Sequence, residues 1–379
     1  MTIKYISLVF PYLPKYDIDF LQTLKREVPD LSINVYVDMS SNDLYRDSNQ
    51  SLNFNIIHTK IYKFGPFWLM PNLYKLLKNN NSNRTVIFNA NPRDLTQVLL
   101  MLIFKLRGRK FISWGMFHRI GGPKWYSSLY FKFVAMISSR VFVYGQMGKS
   151  NLINLGLDCN KIDKIGNAIK FPSKTIDKSK LNLRRLNILQ NYPYIKDKFL
   201  LLQVVRLTEI KKPFLFLDLI RELKSICNDF HIILIGGGLL EAALKSSVKK
   251  NFLNEYITFV GPVYDEDDLA SWYGISNVFV MPTCIGLSAH QSMFYGLPVI
   301  TDNSITNQAS ESEILIDGFN CLRYQEGNIK DFAEKINLLK NNRDMLSELS
   351  ANSSSNVHLF SIEKKAHNFL QGLSNLEQS

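Results

Sequence analysis

Pro282-Thr283-Cys284-Ile285-Gly286-Leu287-Ser288-Ala289-His290-Gln291-Ser292-Met293-Phe294-Tyr295-Gly296-Leu297-Pro298-Val299-Ile300 reads as a strand end, a tight loop, a helix, a glycine stop and a buried strand. Glycine just past a helix accepts the left-handed conformation that ends it, and the apolar run behind it suits a strand covered on both faces. Strand, helix and strand in this order make one unit of a parallel sheet. The free N–H groups of such a loop and helix start favour an anion.

Outward from this stretch the same alternation continues. Upstream, strands are expected at 199–205, 231–235, 257–260 and 278–281, with a helix at 213–229 and Gly236-Gly237-Gly238 closing the second strand. Downstream, closing helices are expected at 328–341 and 362–373. Strand-like runs at 4–10, 33–38, 85–89, 110–114 and 141–144 repeat the pattern, with helices at 17–28 and 94–106 between them. The expectation is an α/β protein of two Rossmann-like, doubly wound domains facing a cleft. The first is placed at 1–172 and the second at 199–379, with a Lys-, Asn- and Pro-bearing connection at 173–198. The last helix has the option of packing back on the first domain. A length of 379 residues agrees with two domains at roughly 150 residues each.

Composition narrows the function classes. Hydrophobic residues at 46% supply two cores and exclude a disordered chain. Cys159, Cys227, Cys284 and Cys321 lie far apart, so neither a zinc site nor a disulfide framework is indicated, and a reducing cytoplasm fits. The apolar run at the N-terminus is cut by Pro11 and Pro14 and reads as a first strand, not a signal peptide. The net charge of +12 is uneven: residues 1–175 carry 24 Lys+Arg against 10 Asp+Glu, whereas the remainder is slightly acidic. Such asymmetry fits an anionic partner of the first half, with solubility as the plain alternative. Basic and aromatic residues interleave at 104–110 and 124–132, and Trp125, Tyr126, Tyr130 and Phe131 suit insertion into an anionic membrane surface. An ordinary core helix with a charged face is the alternative. No nucleic-acid module accompanies the charge, so nucleic acid is not an expected partner.

The second half holds the densest chemistry. Arg206 and Lys211 follow a strand at a helix start, where cations oppose the helix dipole unless an anion binds. Arg206 would grip a diphosphate with its fork and Lys211 as a point charge. Two surface cations are the alternative. Gly237 lies in a turn that lets backbone approach a ligand, and Phe259-Val260-Gly261-Pro262-Val263 is a turn able to edge a base pocket. In the first half, Tyr12 and Lys15, Asn91 and Arg93, and Trp114 with His118 each follow a strand and would face the cleft.

In order, Val204–Lys211 with Lys212, Gly236–Gly238, Ile257–Val263, Pro282–Ile300 and Ser312–Gly318 resemble the motif series of the retaining glycosyltransferases of family four, of GT-B fold. The likeness covers residues 199–340 well, and the first half agrees in layout only. The resemblance implies transfer of a sugar from a nucleotide-diphosphate-sugar to a glycan acceptor with retention at the anomeric carbon. The acceptor it implies is lipid-linked, as in O-antigen or capsule synthesis, at the inner face of the cell membrane. It implies Arg206 and Lys211 on the leaving diphosphate, with amides near Gly286 and Leu287 assisting, and Gln291 on the ribose. Glu313, Gly237, Gly261, Val263 and Thr283 would lie about the donor, and no metal cofactor is expected. Related enzymes often have a histidine near this place; Met116 stands where it is expected, with His118 two positions on as a candidate catalytic residue, and a structural histidine is the plain alternative.

Departures are specific. Thr283 and Gln291 stand where the family has two glutamates eight positions apart. Val205 and Lys212 replace motif glycines, and Ser312 replaces a proline. Of two rival readings, the lost glutamates favour a non-catalytic nucleotide-sugar-binding partner of a glycosyltransferase complex, against which Arg206 and Lys211 speak, and they weaken a nucleotide-sugar epimerase of similar fold, which would need acid/base carboxylates.

Overall fold

The structure, a computed structural model, describes residues 3–38, 52–78, 84–171 and 178–378. It divides into two units, residues 1–170 with 360–379, and residues 171–359.

The first unit carries β1 (Tyr5–Phe10), β2 (Ser32–Val37), β3 (Asn55–His58), β4 (Tyr62–Phe64), β5 (Phe67–Leu69), β6 (Arg84–Asn89), β7 (Phe111–Gly115), β8 (Arg140–Val143) and β9 (Ile162–Lys164). Seven of these form a parallel sheet in the order β3-β2-β1-β6-β7-β8-β9, and β4 and β5 pair as an antiparallel hairpin. Central strands such as β7, Phe-Ile-Ser-Trp-Gly, are buried at every position, because helices cover both faces. On one face Phe88, Phe104 and Phe111 meet edge to face, with ring centroids 5.4–6.2 Å apart. Each such ring removed from water contributes about 1.5–3 kcal/mol. Helix Leu95–Leu106 starts at Asp94, whose carboxylate accepts the Gln97 N–H at 3.1 Å, and stops before Gly108, which takes φ +64°.

The second unit carries β10 (Phe199–Val204), β11 (Phe230–Ile235), β12 (Ile257–Gly261), β13 (Val278–Met281), β14 (Val299–Asp302) and β15 (Cys321–Tyr324). Their order is β12-β11-β10-β13-β14-β15, all parallel. Helix Leu215–Ile226 buries Phe216, Leu219, Ile220 and Leu223, one stripe at helical spacing. Both sheets reverse direction of growth once, between β1 and β6 and between β10 and β13, and both are doubly wound as expected.

Two boundaries differ from the sequence expectation. The stretch 173–198 is part of the second unit, and its residues 173–177 lie outside the described ones. Helix Lys178–Asn191 within it packs on helix Glu266–Ile275, and Arg184 bridges to Asp265 at 2.7 Å. Residues 360–379 belong to the first unit, not the second. The reason is packing: Phe369 of helix Ile362–Gln378 meets Phe20, Trp114 and Phe142 at 5.3–5.6 Å. Gly372 of that helix leaves no room for a side chain, since a Cβ there would lie 2.6 Å from the Phe142 ring.

Candidate functional site

The reversal between β10 and β13 opens a crevice at the carboxyl ends of these strands, and two loops fill its rim. The loop after β10 is stitched to the β11 turn: Val205 N–H donates to Ile235 O and Leu207 N–H to Gly237 O, both at 2.9 Å. It ends in a single turn of 3-10 helix, Glu209–Lys211, closed by Lys212 at φ +44°. That left-handed conformation suits glycine, so Lys212 occupies a glycine position at some strain. The turn sends the Lys211 ammonium onto Cys284 O in the loop after β13. Gly286 lies beside the same ammonium, at ordinary contact distance: a Cβ there would lie 3.7 Å from it. Arg206 is exposed and has no polar partner among the described residues. The N–H groups of Gly286 and Leu287 likewise have no acceptor among them.

The loop 282–287 is held from behind by residues that sequence reasoning did not single out. Ile285 N–H donates to Gln308 Oε1 at 2.8 Å, and Gln308 Nε2 donates to Asp302 Oδ1 at 2.6 Å and Thr301 Oγ1 at 3.0 Å. The Tyr324 hydroxyl donates to Pro282 O. Arg323 donates to Asp302 O at 3.1 Å, Ser312 O at 2.9 Å and Leu315 O at 3.1 Å, tying the 310–314 turn to β14. Burial raises the Asp302 carboxyl, with Thr283 and Gln308 pulling the other way. Burial likewise raises the Cys284 thiol against the nearby Lys211 charge. Cys284 itself sits at φ +50°, a second left-handed residue in the rim. None of these carries a spacing signal, because all act across loops of irregular geometry.

The expected donor-side residues divide into two groups. Arg206, Lys211, Gly286 and Leu287 belong to the two rim loops. Gly261, at φ +85°, and half-buried Val263 lie at the end of β12. The glycine triplet has a plainer cause than a ligand. A Cβ on Gly236 would fall 1.9 Å from Val205 O, and one on Gly238 2.5 Å from Leu207 O, so backbone crosses backbone there. Gly237 alone meets side chains and no backbone: a Cβ there would lie 2.9 Å from the Glu241 carboxylate and 3.4 Å from the Pro262 ring. Gln291 is half-buried on helix Ser288–Phe294 and accepts from the Tyr273 hydroxyl at 3.4 Å. Glu313 is half-buried on the 3-10 turn Ser310–Ile314, and its neighbour Glu311 lies deeper, within electrostatic reach of Cys284. Thr283 departs from expectation: it is 1% exposed beside Asp302, so its side chain offers a ligand no surface.

In the first unit, Tyr12 is exposed ahead of helix Lys15–Glu27 and Lys15 is exposed at its first position. Asn91 turns the chain by accepting the Arg93 N–H at 3.1 Å, and the exposed Arg93 side chain has no polar partner among the described residues. Trp114 does not face an acceptor. It is 4% exposed, packed among Phe10, Phe20, Tyr144 and Phe369, because β7 is a central strand buried on both faces. Lys365 lies 5.4 Å over the same ring and 3.5 Å from buried Asp17. His118 is half-buried with Nδ1 3.1 Å from Met116 O. Its loop is pinned: Asn151 donates to Phe117 O at 2.6 Å, and Gly148 admits Met116 O where a Cβ would clash at 2.2 Å. Phe117 is held at φ +51° in consequence, an unusual backbone for a bulky residue. Among the described residues no group of three or more His, Cys, Asp or Glu is placed to hold a metal.

Known proteins share this architecture. A glycosyltransferase of Rickettsia africae superposes with a TM-score of 0.73 at 16% identity, over 99% of each chain. Sucrose-phosphate synthase of Thermosynechococcus elongatus gives 0.73 at 17% identity, again over 99% of both. HepE of Anabaena, solved in complex with UDP, gives 0.71 at 14% identity over 98% of this chain and 99% of that one. The fold is GT-B. Within it, residues 185–356 match the family described as glycosyl transferases group 1. This stretch contains every donor-side residue from Arg206 to Glu313. A glycosyltransferase of Methanocaldococcus jannaschii is 34% identical over 149 residues, 38% of this chain and 40% of that protein. The aligned stretch thus spans well under half of that relative.

Proposed function

We propose that the protein transfers a sugar from a nucleotide-diphosphate-sugar donor to a glycan acceptor, with retention of anomeric configuration. The observation that carries this reading is the pairing of Arg206, exposed and without a partner among the described residues, with Lys211 aimed at the Cys284–Gly286 backbone. Two cations at the reversal of a doubly wound sheet suit a diphosphate. The group 1 family match over these residues and the UDP held by HepE support the donor class.

In the proposed reaction the acceptor oxygen bonds to the anomeric carbon as the bond from that carbon to the β-phosphate oxygen breaks. The acceptor proton passes to the departing diphosphate. Arg206, Lys211 and the Gly286 and Leu287 N–H groups hold the negative charge that builds there, so the charge work needs no metal. Gln291 orients the ribose and Glu313 lies against the donor. His118, Tyr12, Lys15, Asn91 and Arg93 serve the acceptor side. The acceptor is a lipid-linked surface glycan of the O-antigen or capsule kind, met at the inner face of the membrane.

The test is thermal stabilisation by UDP, GDP, dTDP and CMP sugars, followed by turnover with the best binder. Saturating ligand raises stability by about 2.7 kcal/mol at a hundredfold excess over Kd. A second reading, a non-catalytic nucleotide-sugar-binding partner, is favoured by the inward Thr283 and the absence of both motif glutamates. Stabilisation by a nucleotide sugar without turnover on any acceptor would select it. No stabilisation by any of the four would remove both readings.

A further inference from the structure

Between residues 48 and 157 the chain has 15 Lys+Arg and one acidic residue, Asp94, and Asp94 is fully buried as a helix cap. This stretch contains hairpin β4-β5 and helices Leu95–Leu106 and Trp125–Ile137, which pack side by side in the first unit. Both helices are apolar on two sides. Helix Leu95–Leu106 buries Leu100, Met101 and Phe104, yet exposes Leu95, Leu99, Leu102 and Leu106 at spacings of four, three and four. Helix Trp125–Ile137 buries Val134 and Ala135, yet exposes Trp125, Leu129, Phe133 and Met136 at spacings of four, four and three. Leu106 is 86% exposed, Trp125 79% and Leu129 61%. Phe64 and Phe67 of the hairpin add exposed rings beside the first helix. Isolated exposed hydrophobes are ordinary, but two unbroken stripes on neighbouring helices are not. Lys105, Arg107, Lys124 and Lys132 are exposed on or next to the same helices.

We infer that this face of the first unit docks flat on an anionic lipid surface, the stripes entering the headgroup boundary and the cations meeting phosphates. The helices have 12 and 13 residues, and no helix among the described residues is long and apolar enough to cross a membrane, so the face lies on the bilayer. Charge decides the occupant. A second copy would bring the same excess of cations against itself, whereas anionic lipid attracts each basic residue near its surface. The inference rests on the lipid-linked part of the proposed function and is independent of its donor part.

The experiment is co-sedimentation of the full chain with phosphatidylcholine vesicles, with and without phosphatidylglycerol, at low and high salt. Binding is expected only with phosphatidylglycerol, and high salt should lower it about tenfold. Trp125→Ser with Leu129→Ser, and separately Lys105→Gln with Lys132→Gln, should each lower it similarly while nucleotide-sugar stabilisation stays unchanged. Equal binding to neutral vesicles, no binding, or wild-type binding by both variants overturns the inference. So does self-association that the Leu129 variant abolishes, which assigns the face to a second copy. Vesicle binding without nucleotide-sugar stabilisation would instead sink the donor reading and leave this one standing.

Discussion

The two units share one strand order and differ in nearly everything laid upon it. Behind β10 and β13 the second unit uses short side chains, left-handed turns and backbone crossings to set Lys211 against Cys284, with Arg206 left outward. Behind β1 and β6 the first unit instead buries its chemistry: Asp94 caps a helix, and Asp17 meets Lys365 under Phe20 and Trp114. On its surface Lys105, Arg107, Lys124 and Lys132 are exposed on or next to the two helices that carry the apolar stripes. A doubly wound sheet therefore supplies only the crevice, and the loops decide what enters it.

The sharpest way to break the comparison is through the glycines that let backbone cross backbone. Gly236→Ala should cost about 4 kcal/mol, since its Cβ would meet Val205 O at 1.9 Å and the residue sits at φ +125°. Gly148→Ala is the first-unit counterpart, with Met116 O at 2.2 Å, and should loosen the His118 loop. Gly261→Ala, at φ +85° with open space around it, should cost only about 1 kcal/mol. Equal melting temperatures for the Gly236 and Gly261 variants would show that the crossing is not tight.

Acid should separate the units next. His231 of β11 is buried with Nε2 2.8 Å from Thr258 Oγ1, and burial pushes its pKa down to about 4 from 6.5. A folded pKa below the unfolded one means stability fully present above pH 6.5 and lost as pH falls towards about 4. The loss amounts to about 3 kcal/mol. In the first unit, burial raises the Asp17 and Asp94 carboxyls, which acts in the opposite sense. Denaturant melts of wild type and His231→Gln across this range test it, and an unchanged pH slope in the variant would assign the effect elsewhere.

Removing either rim cation is a smaller change in free energy with a large kinetic readout. Arg206→Ala and Lys211→Ala should each lower turnover at least about tenfold, equivalent to one lost charge-assisted bond of about 1.5–3 kcal/mol. Both should stay folded, Arg206 being exposed and Lys211 half-buried. Near-wild-type activity in both would remove the diphosphate clamp. If two cations and two N–H groups carry the charge, as proposed, EDTA should change nothing at all. Loss restored by magnesium or manganese would contradict that.

The doubly wound pattern was legible because strands buried on both faces are written as short apolar runs, and Phe-Leu-Leu-Leu-Gln-Val and Phe-His-Ile-Ile-Leu-Ile have strand length, the second closed by glycines. The rim loops were legible through motif order. Trp114 was misread because position after a strand does not say which way a side chain points, and the ring turned into the core under Phe369. Helix Lys178–Asn191 escaped notice because its periodicity is weak and its support comes from Arg184 on Asp265 and Asp268, residues about eighty positions away.

By itself the sequence determined the two sheets, the order of the rim motifs and the one-sided charge, since local pattern and composition suffice for each. Tertiary structure alone decided that the last helix joins the first unit and that Thr283 turns inward. It also showed that Gly236 and Gly238 serve a backbone crossing and that two apolar stripes remain uncovered. Each depends on which surfaces meet across distant segments, and burial is a property of the assembled neighbours, not of the residue that is buried.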